Sequence, residues 1–294
     1  MHDSNFHENA IRRSLNDFSL SKQLKLRLGK LLLPLFRGRV KAVEAAPFGS
    51  DGQIHRLLRN GLYARALEHR DFAKLRGYLS NYWGQEAKNF HDAWQDRFER
   101  MFLQHDVVVI DELEKAMAAL PDGLAFKNLY EIGCGGGQVL NYLAERLTSI
   151  ETFVGIDIGA EQIEANRATC DNPKISFQAA DAVEWVPGNA KPCSVVLTNG
   201  GVFEYFLREE LQSLFAHIGE QLAPAAIAVV ETIGTDHDLD THSETFVYGR
   251  ELSFSHNYPH LLREAGFEIV HQSERPGYDE DGGGRWIRIL ALKK

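Results

Sequence analysis

Residues 130–137 have the composition and spacing of a loop that binds a small ligand. The segment reads YEIGCGGG, with Glu131 two positions before Gly133 and glycine again at Gly135 and Gly137. Glycine lets the backbone approach a ligand closely and adopt a positive φ. An acidic residue at this position suits a positively charged ligand group better than a pyrophosphate. Between a predicted strand and a predicted helix, the segment therefore indicates a site for a ligand with a cationic group.

Two phosphate-binding loops have similar sequences and fit less well. A Walker A loop ends in Gly-Lys-Ser or Gly-Lys-Thr, whereas Gly137 is followed by Gln138 and Val139, so no lysine can contact a β- or γ-phosphate. The dinucleotide motif GxGxxG, started at Gly133, needs glycine or alanine where Gln138 stands. A nicotinamide-dependent oxidoreductase stays open as an alternative because this second match is partial.

Acidic residues also follow the next two predicted strands. Asp157 ends the second strand, 24 residues after Gly133, where an acid can accept hydrogen bonds from both hydroxyls of a ribose. Asp181 follows the third strand. Either aspartate alone is explained as a helix N-cap. Because the carboxyl ends of parallel strands meet at one edge of a sheet, we expect these residues and Glu131 to converge on one crevice.

Together these segments resemble the class I S-adenosylmethionine-dependent methyltransferases, whose first motif is acid-x-Gly-x-Gly-x-Gly at a strand-to-helix turn. The resemblance covers roughly residues 121–294. It implies S-adenosyl-L-methionine as the cofactor, with Asp157 on the ribose and Asp181 on the adenine amino group. The cofactor-binding residues that it implies are Glu131, Gly133, Cys134, Gly135, Gly137, Asp157, Ile158, Asp181, Ala182 and Asn199.

The segments after the fourth and fifth strands indicate the acceptor of the methyl group. Residues 198–206 lie where the family lines its methyl-transfer crevice, and they depart from the Asn-Pro-Pro-Tyr signature of enzymes that methylate nucleic-acid bases or amides. We therefore predict methylation of a hydroxyl on a small-molecule or glycan-type acceptor. A hydroxyl needs a base, and imidazole suits that role near pH 7. The predicted catalytic residues are accordingly His237 and His256.

Three alternatives to this chemistry stay open. The loop 236–242 contains three aspartates and two histidines, which could hold a divalent metal ion that orients vicinal hydroxyls. We predict no metal site, because no residue at the end of the fourth strand completes such a set. An N-methyltransferase of a small amine could dispense with a strong base. A module that binds the cofactor without turnover would use the same cofactor residues.

Aromatic residues before residue 121 resemble the helical cap that small-molecule and sugar methyltransferases place over the cofactor. We predict that Tyr82 and Trp83 contact the substrate, whereas Phe90, Trp94 and Phe98 form the core of the cap. The other predicted substrate-contacting residues are Glu204, Tyr205 and Tyr258.

Short apolar runs alternate with helix-period segments from about residue 121. This pattern predicts an α/β, Rossmann-like sheet of seven mostly parallel strands with an antiparallel last strand, preceded by an all-helical N-terminal region. We divide the chain into a basic amphipathic segment (1–46), a helical cap (47–120) and a methyltransferase domain (121–294). The predicted strands are Leu129–Gly133, Phe153–Asp157, Ile175–Ala179, Ser194–Asn199, Ile227–Thr232, Phe267–Gln272 and Trp286–Leu292.

The composition indicates which classes of binding partner and which cellular compartment to expect. The 294 residues carry a formal net charge of −9, which argues against a general nucleic-acid binder because neutralising phosphates needs basic surface. Three cysteines without paired spacing indicate neither a disulfide framework nor a zinc site. We therefore expect a cytoplasmic protein that binds no nucleic acid. The sequence does not indicate an oligomeric state.

Residues 20–41 form the strongest local charge feature. They contain seven lysines and arginines and no acidic residue, so the rest of the chain carries −16. On a helix, Leu24, Leu28, Leu31, Leu32 and Leu35 share one face, a pattern of helices that lie on anionic membranes. The simpler interpretation, which we prefer, is that the leucine face packs on the acidic body of the protein itself.

Overall fold

The computed structural model describes residues 20–45, 52–93, 96–121, 123–249, 252–277 and 284–294. The helical elements are α1 (Leu20–Leu32), α2 (Arg37–Ala45), α3 (Gln53–Glu68), α4 (Phe72–Ala93), a π-helix (Phe98–Asp106), α5 (Val108–Ala118), α6 (Gln138–Arg146), α7 (Ala160–Thr169), α8 (Ala182–Asn189), a 3-10 turn (Phe203–Tyr205), α9 (Arg208–Gln221) and α10 (Tyr258–Glu264). The strands are β1 (Asn128–Ile132), β2 (Thr152–Asp157), β3 (Ile175–Ala179), β4 (Ser194–Asn199), β5 (Ala225–Gly234), β6 (Phe246–Tyr248), β7 (Ser253–Ser255), β8 (Glu268–Pro276) and β9 (Gly284–Lys293).

Seven of these strands form one sheet in the order β3-β2-β1-β4-β5-β9-β8. Strands β1 to β5 are parallel to one another, and β9 is antiparallel to both β5 and β8. The predicted Rossmann-like sheet with its antiparallel last strand is therefore confirmed. The central strands are buried on both faces, which explains why they read as continuous apolar runs in the sequence.

Helices cover both faces of the sheet and close two apolar cores. On one face, Phe215 of α9 and Leu262 of α10 pack with sheet residues such as Ile227. On the other, Leu113 of α5 and Leu143 of α6 belong to the second core. This arrangement fixes the carboxyl ends of the parallel strands at one edge, which is where α/β folds of this kind bind ligands.

The N-terminal helices pack with a hairpin from the other half of the chain. The insertion after β5, which the sequence indicates only as a polar loop, contains the antiparallel strands β6 and β7. Leu62 of α3 and Leu75 of α4 share a third core with Val247 and Phe254 of this hairpin. The predicted N-terminal helical region is thus present, and the hairpin completes its core.

The prediction that Phe98 belongs to the core of the cap is wrong. Phe98 stacks on Phe102 with ring centroids 5.7 Å apart and also contacts Tyr142, so it packs against the core beneath α6. Trp94 and the side chain of Phe90 lie outside the described part of the structure.

Within the described part of the chain, no helix is both long enough and apolar enough to cross a membrane.

Candidate functional site

A buried acid lies at the carboxyl end of β1, the edge of the sheet where the sequence predicts the crevice. Glu131 is 2% exposed, and its Oε2 atom has no hydrogen-bond partner. Burial, followed by the charge of Asp157, raises the pKa of this carboxyl well above its ordinary value. A carboxylate oxygen without a partner is unfavourable inside a protein. A cationic ligand group would relieve this.

The loop after Glu131 needs its glycines for conformation and for space. Gly133 and Gly137 have φ of +72° and +75°, a region that favours glycine. A Cβ atom on Gly133 would lie 2.4 Å from Cγ2 of Val202, in the segment after β4. The glycine loop and the β4 segment therefore touch, so a ligand held by the loop also meets the residues that follow β4.

Asp157 joins the glycine loop to the turn after β2. Its Oδ2 atom accepts a hydrogen bond from the Gly135 amide at 3.0 Å, and its Oδ1 atom accepts one from the Gly159 amide at 2.8 Å. Each carboxylate oxygen has a second lone pair. Asp157 can thus order the loop and still accept the hydroxyl hydrogens of a ribose.

Asp181 has partners that the sequence does not reveal. It caps α8 by accepting from the Val183 amide at 3.1 Å, and it forms an ion pair with Arg76 of α4 at 2.6 Å. Arg76 also pairs with Glu210 at 3.1 Å and lies over the ring of Phe206. These contacts fix α4 beside the acid that the resemblance assigns to adenine.

The other predicted cofactor residues lie along the same edge of the sheet. Cys134 is buried, and burial raises the pKa of its thiol well above the ordinary value. The Ile158 carbonyl lies beneath Gly84 of α4, and Ala182 is buried at the start of α8. At the end of β4, Oδ1 of Asn199 is buried without a hydrogen-bond partner. Asn199 and Glu131 therefore each leave one polar atom for a ligand.

Helix α4 also carries the predicted aromatic residues. The rings of Trp83 and Tyr205 contact edge to face with centroids 5.5 Å apart, and Tyr82 contacts Trp83 at 5.2 Å. Since Tyr205 follows β4, this pair lies where the sheet edge and the cap meet. The structure brings these three predicted substrate residues together.

A second buried acid stands in the 3-10 turn after β4. Glu204 is 9% exposed, and its Oε2 atom accepts a hydrogen bond from the Tyr248 phenol at 2.8 Å. The same phenol oxygen lies 2.6 Å from Oγ1 of Thr232. A Cβ atom on Gly201 would lie 2.6 Å from Oε1 of Glu204, so glycine at 201 leaves room for this carboxylate beside the loop.

The geometry argues against His237 and His256 as general bases. His237 donates from Nε2 to the His242 carbonyl at 3.3 Å, and its Nδ1 lies 2.8 Å from the Ser255 hydroxyl. His256 donates from Nε2 to the Phe206 carbonyl at 3.0 Å, and its Nδ1 lies 2.8 Å from Oγ1 of Thr245. Both rings are fully buried. Neither has a nitrogen left to take a proton from an acceptor.

Tyr258 does not reach the crevice either. It is fully buried in the core that contains Phe203 and its ring also contacts His256, so its predicted contact with substrate is corrected to a packing role. Among the residues that the structure describes, no three His, Cys, Asp or Glu side chains are grouped to hold a metal ion.

Glu231 lies beside the glycine loop and the segment after β4, and the sequence analysis did not predict it. It is fully buried in β5. Its carboxylate accepts hydrogen bonds from Oγ1 of Thr198 at 2.5 Å and from the Val202 amide at 2.9 Å. Burial raises its pKa to about 7. A single acid inside the apolar strand β5 is the signal that could have found it, because such groups are rarely buried without a role. Glu231 holds the segment that contacts Gly133.

Comparison with known proteins finds similarity to methyltransferases. Residues 129–225 match a family model described as "Methyltransferase domain". The malonyl-[acyl-carrier protein] O-methyltransferase of Brevibacillus brevis is 23% identical over 57% of this chain and 65% of its own length. The cyclopropane-fatty-acyl-phospholipid synthase of Escherichia coli is 26% identical over 55% of this chain and 45% of its own length. The chain thus spans between about half and two thirds of these relatives.

A solved structure shows the same fold. A SAM-dependent methyltransferase from Leishmania major superposes with a TM-score of 0.53 at 16% identity, covering 74% of this chain and 82% of the other. The match of residues 129–225 to the methyltransferase family model and this shared fold support the predicted resemblance to the class I S-adenosylmethionine-dependent methyltransferase superfamily. Its cofactor is accordingly S-adenosylmethionine. The unpartnered oxygens of Glu131 and Asn199 fit a ligand of this kind.

Proposed function

We propose that the protein transfers a methyl group from S-adenosylmethionine to a hydroxyl of a small-molecule or glycan-type acceptor. The observation that carries this proposal is the Glu204 carboxylate, which is held by Tyr248 beside the loop that follows β4. S-adenosylmethionine, when bound, supplies an electrophilic methyl group on a sulfonium. An attacking hydroxyl must lose its proton as the new bond forms, and we propose that the Glu204 carboxylate accepts this proton.

The residues around Glu204 have separate tasks in this proposal. Tyr248 orients the carboxylate through its phenol. Glu231 holds the Val202 segment against the glycine loop, which sets the distance between the acceptor and the cofactor. Trp83 and Tyr205 close the edge of the crevice and exclude water, which strengthens the electrostatic interactions inside.

Support for an oxygen acceptor also comes from a relative. The Brevibacillus protein is by name an O-methyltransferase, although its malonyl acceptor is not carried over to this chain. We further propose a cytoplasmic location, because the three cysteines Cys134, Cys170 and Cys193 are free thiols, as is usual in a reducing compartment.

The proposal is tested with Glu204→Gln, which removes the base and keeps the shape of the side chain. We expect the initial rate of methyl transfer into the small-molecule and glycan fractions of a cell extract to fall about 10²- to 10⁴-fold. Affinity for S-adenosylmethionine, measured by calorimetry, should change less than about twofold, because Glu204 is not among the cofactor residues.

The matched control is Glu209→Gln, the same exchange at an exposed position of α9, which should leave the rate unchanged. Tyr248→Phe should lower the rate about tenfold, the effect of losing one hydrogen bond to a carboxylate. A Glu204→Gln variant with wild-type rate would contradict a hydroxyl acceptor activated by Glu204 and would favour an amine acceptor, which needs no strong base.

A further inference from the structure

One face of α1 and the turn after it exposes a row of leucines. Of the nine large apolar side chains that are exposed in the described part of the chain, five lie in this row, which we call the leucine stripe. Its members are Leu20 (84% exposed), Leu24 (57%), Leu28 (42%), Leu31 (68%) and Leu35 (75%). Exposed apolar side chains are ordinary when scattered, whereas a contiguous row indicates an interaction surface.

The orientation of α1 is fixed by its opposite face. Leu26 and Leu33 are 3% and 6% exposed in the third core. A Cβ atom on Gly29 would lie 2.1 Å from the Leu57 carbonyl oxygen, so α1 and α3 are in backbone contact there. At 100° per residue, the centre of the leucine stripe points about 170° away from this buried face. Of the predicted leucine face, only Leu32 packs against the third core, so the interpretation that this face packs on the protein itself is wrong for the other four leucines.

The charged side chains that α1 itself places on either side of the leucine stripe are cations. On the helical projection Lys25 and Arg27, both exposed, stand on its two sides. Arg37, Arg39 and Lys41 are exposed on α2, which follows directly. Residues 20–41 contain no acidic side chain, although the rest of the chain is strongly acidic. An apolar stripe between cations complements a surface that is apolar inside and anionic outside.

We propose that α1 lies in the interface of an anionic lipid bilayer, with the leucine stripe inserted among the acyl chains and the flanking cations on the lipid headgroups. Leucines on a single convex helix offer little area to a protein partner, whereas a bilayer adapts to them. The cations add attraction for anionic lipids that a neutral bilayer lacks. The protein would then work at a membrane without crossing it.

The test is co-sedimentation of the full chain with vesicles of phosphatidylcholine alone or mixed with phosphatidylglycerol at low salt. We expect at least tenfold more bound protein on the anionic vesicles, and less binding as salt is raised. Leu24→Glu with Leu31→Glu should reduce this binding at least tenfold. The matched control is Leu124→Glu with Val270→Glu, which adds the same charge at exposed apolar positions elsewhere and should bind like the wild type.

Equal sedimentation of the wild type and the stripe variant would overturn the proposal. So would light scattering that shows a dimer in the wild type and a monomer in the stripe variant, because the leucine stripe would then be covered by a second copy. Circular dichroism and thermal unfolding confirm that both variants fold. The assay contains no cofactor or acceptor, so its outcome is independent of the proposed methyl transfer.

Discussion

The two buried imidazoles, His237 and His256, are held as neutral rings. Each donates from Nε2 to a carbonyl and lies with Nδ1 against a hydroxyl. Burial lowers the pKa of His237 to about 4 and that of His256 to about 3. Because the carbonyl accepts, Nε2 carries the only hydrogen, and protonation of Nδ1 would break the bond from the hydroxyl. We infer that the rings hold the β6–β7 insertion in place.

His256→Gln tests this structural role. In the unfolded chain a histidine takes up a proton below about pH 6.5, which the folded ring does not, so the wild type loses stability as the pH falls from about 6.5 towards 4. One such ring lowers the free energy of unfolding by about 2 kcal/mol at pH 5. Urea unfolding at pH 7.5 and pH 5 should therefore show that the stability deficit of His256→Gln shrinks by about 2 kcal/mol at the lower pH.

The rate of methyl transfer gives the second readout of His256→Gln. Below its melting temperature the variant should keep its rate within about threefold, since the ring touches no acceptor in our assignment. A fall in the rate of 10²-fold or more with the fold intact would indicate that His256 is a general base after all.

Glu231 has the opposite dependence on pH. Its pKa is raised to about 7 in the folded chain, so the folded state holds the proton more tightly than the unfolded state. The stability that this gives is complete below about pH 4.5 and is lost as the pH rises through 7. Relative to the wild type, Glu231→Gln should gain about 2 kcal/mol in the free energy of unfolding between pH 5 and pH 8, measured by urea titration.

Glu209→Gln is the control for this effect and should show no such gain, because Glu209 is exposed. If the free energy of unfolding of Glu231→Gln changes with pH as that of the wild type does, the Glu231 carboxyl is ionised in the folded chain at both pH values. The hydrogen bonds from Thr198 and Val202 would then fully offset the cost of burying its charge.

At the scale of elements, α4 is the link between the cap and the cofactor crevice. Arg76 pairs with Asp181 and Glu210 while 11% of its side chain is exposed. Arg76→Ala leaves two carboxylates without their cation, and we expect hydrogen exchange to accelerate about tenfold or more for amides of residues 72–85. The free energy of unfolding should fall by about 1–3 kcal/mol, because the lost bonds are charge-assisted.

Arg100→Ala is the comparison for this variant. Arg100 pairs with Asp96, but both side chains are more than half exposed, so its loss should cost less than about 0.5 kcal/mol. Unchanged exchange in Arg76→Ala would show that α4 is held by its aromatic contacts alone.

The sequence predicted most elements because their patterns are local. The strand Ile175–Ala179 and the strand Ser194–Asn199 have the predicted bounds, since each is an apolar run between turn residues. Strands β6 and β7 were missed because three residues each give no periodicity, and they are stabilised by packing on α3 and α4. The pairs Arg76–Asp181 and Glu204–Tyr248 join distant segments, which no spacing rule reveals.

At the scale of the whole molecule, the two ends of the chain contribute different parts of the proposed site. The second half forms the sheet and the glycine loop, which share local motifs with other methyltransferases. The proposed acceptor side lies where the N-terminal helices pack with the β6–β7 insertion, and these segments carry no recognisable motif. This division explains why the sequence indicates the cofactor clearly and the acceptor only as a class.

The most direct measurement is transfer of labelled methyl from S-adenosylmethionine into a cell extract separated into small-molecule, glycan, protein and RNA fractions. Asp157→Ala serves as the blank, because it removes the acid that joins the glycine loop to the turn after β2. We predict label in the small-molecule or glycan fraction of the wild type and at least about a hundredfold less with Asp157→Ala. Label confined to protein or RNA, or label that Asp157→Ala leaves undiminished, would contradict the assignment.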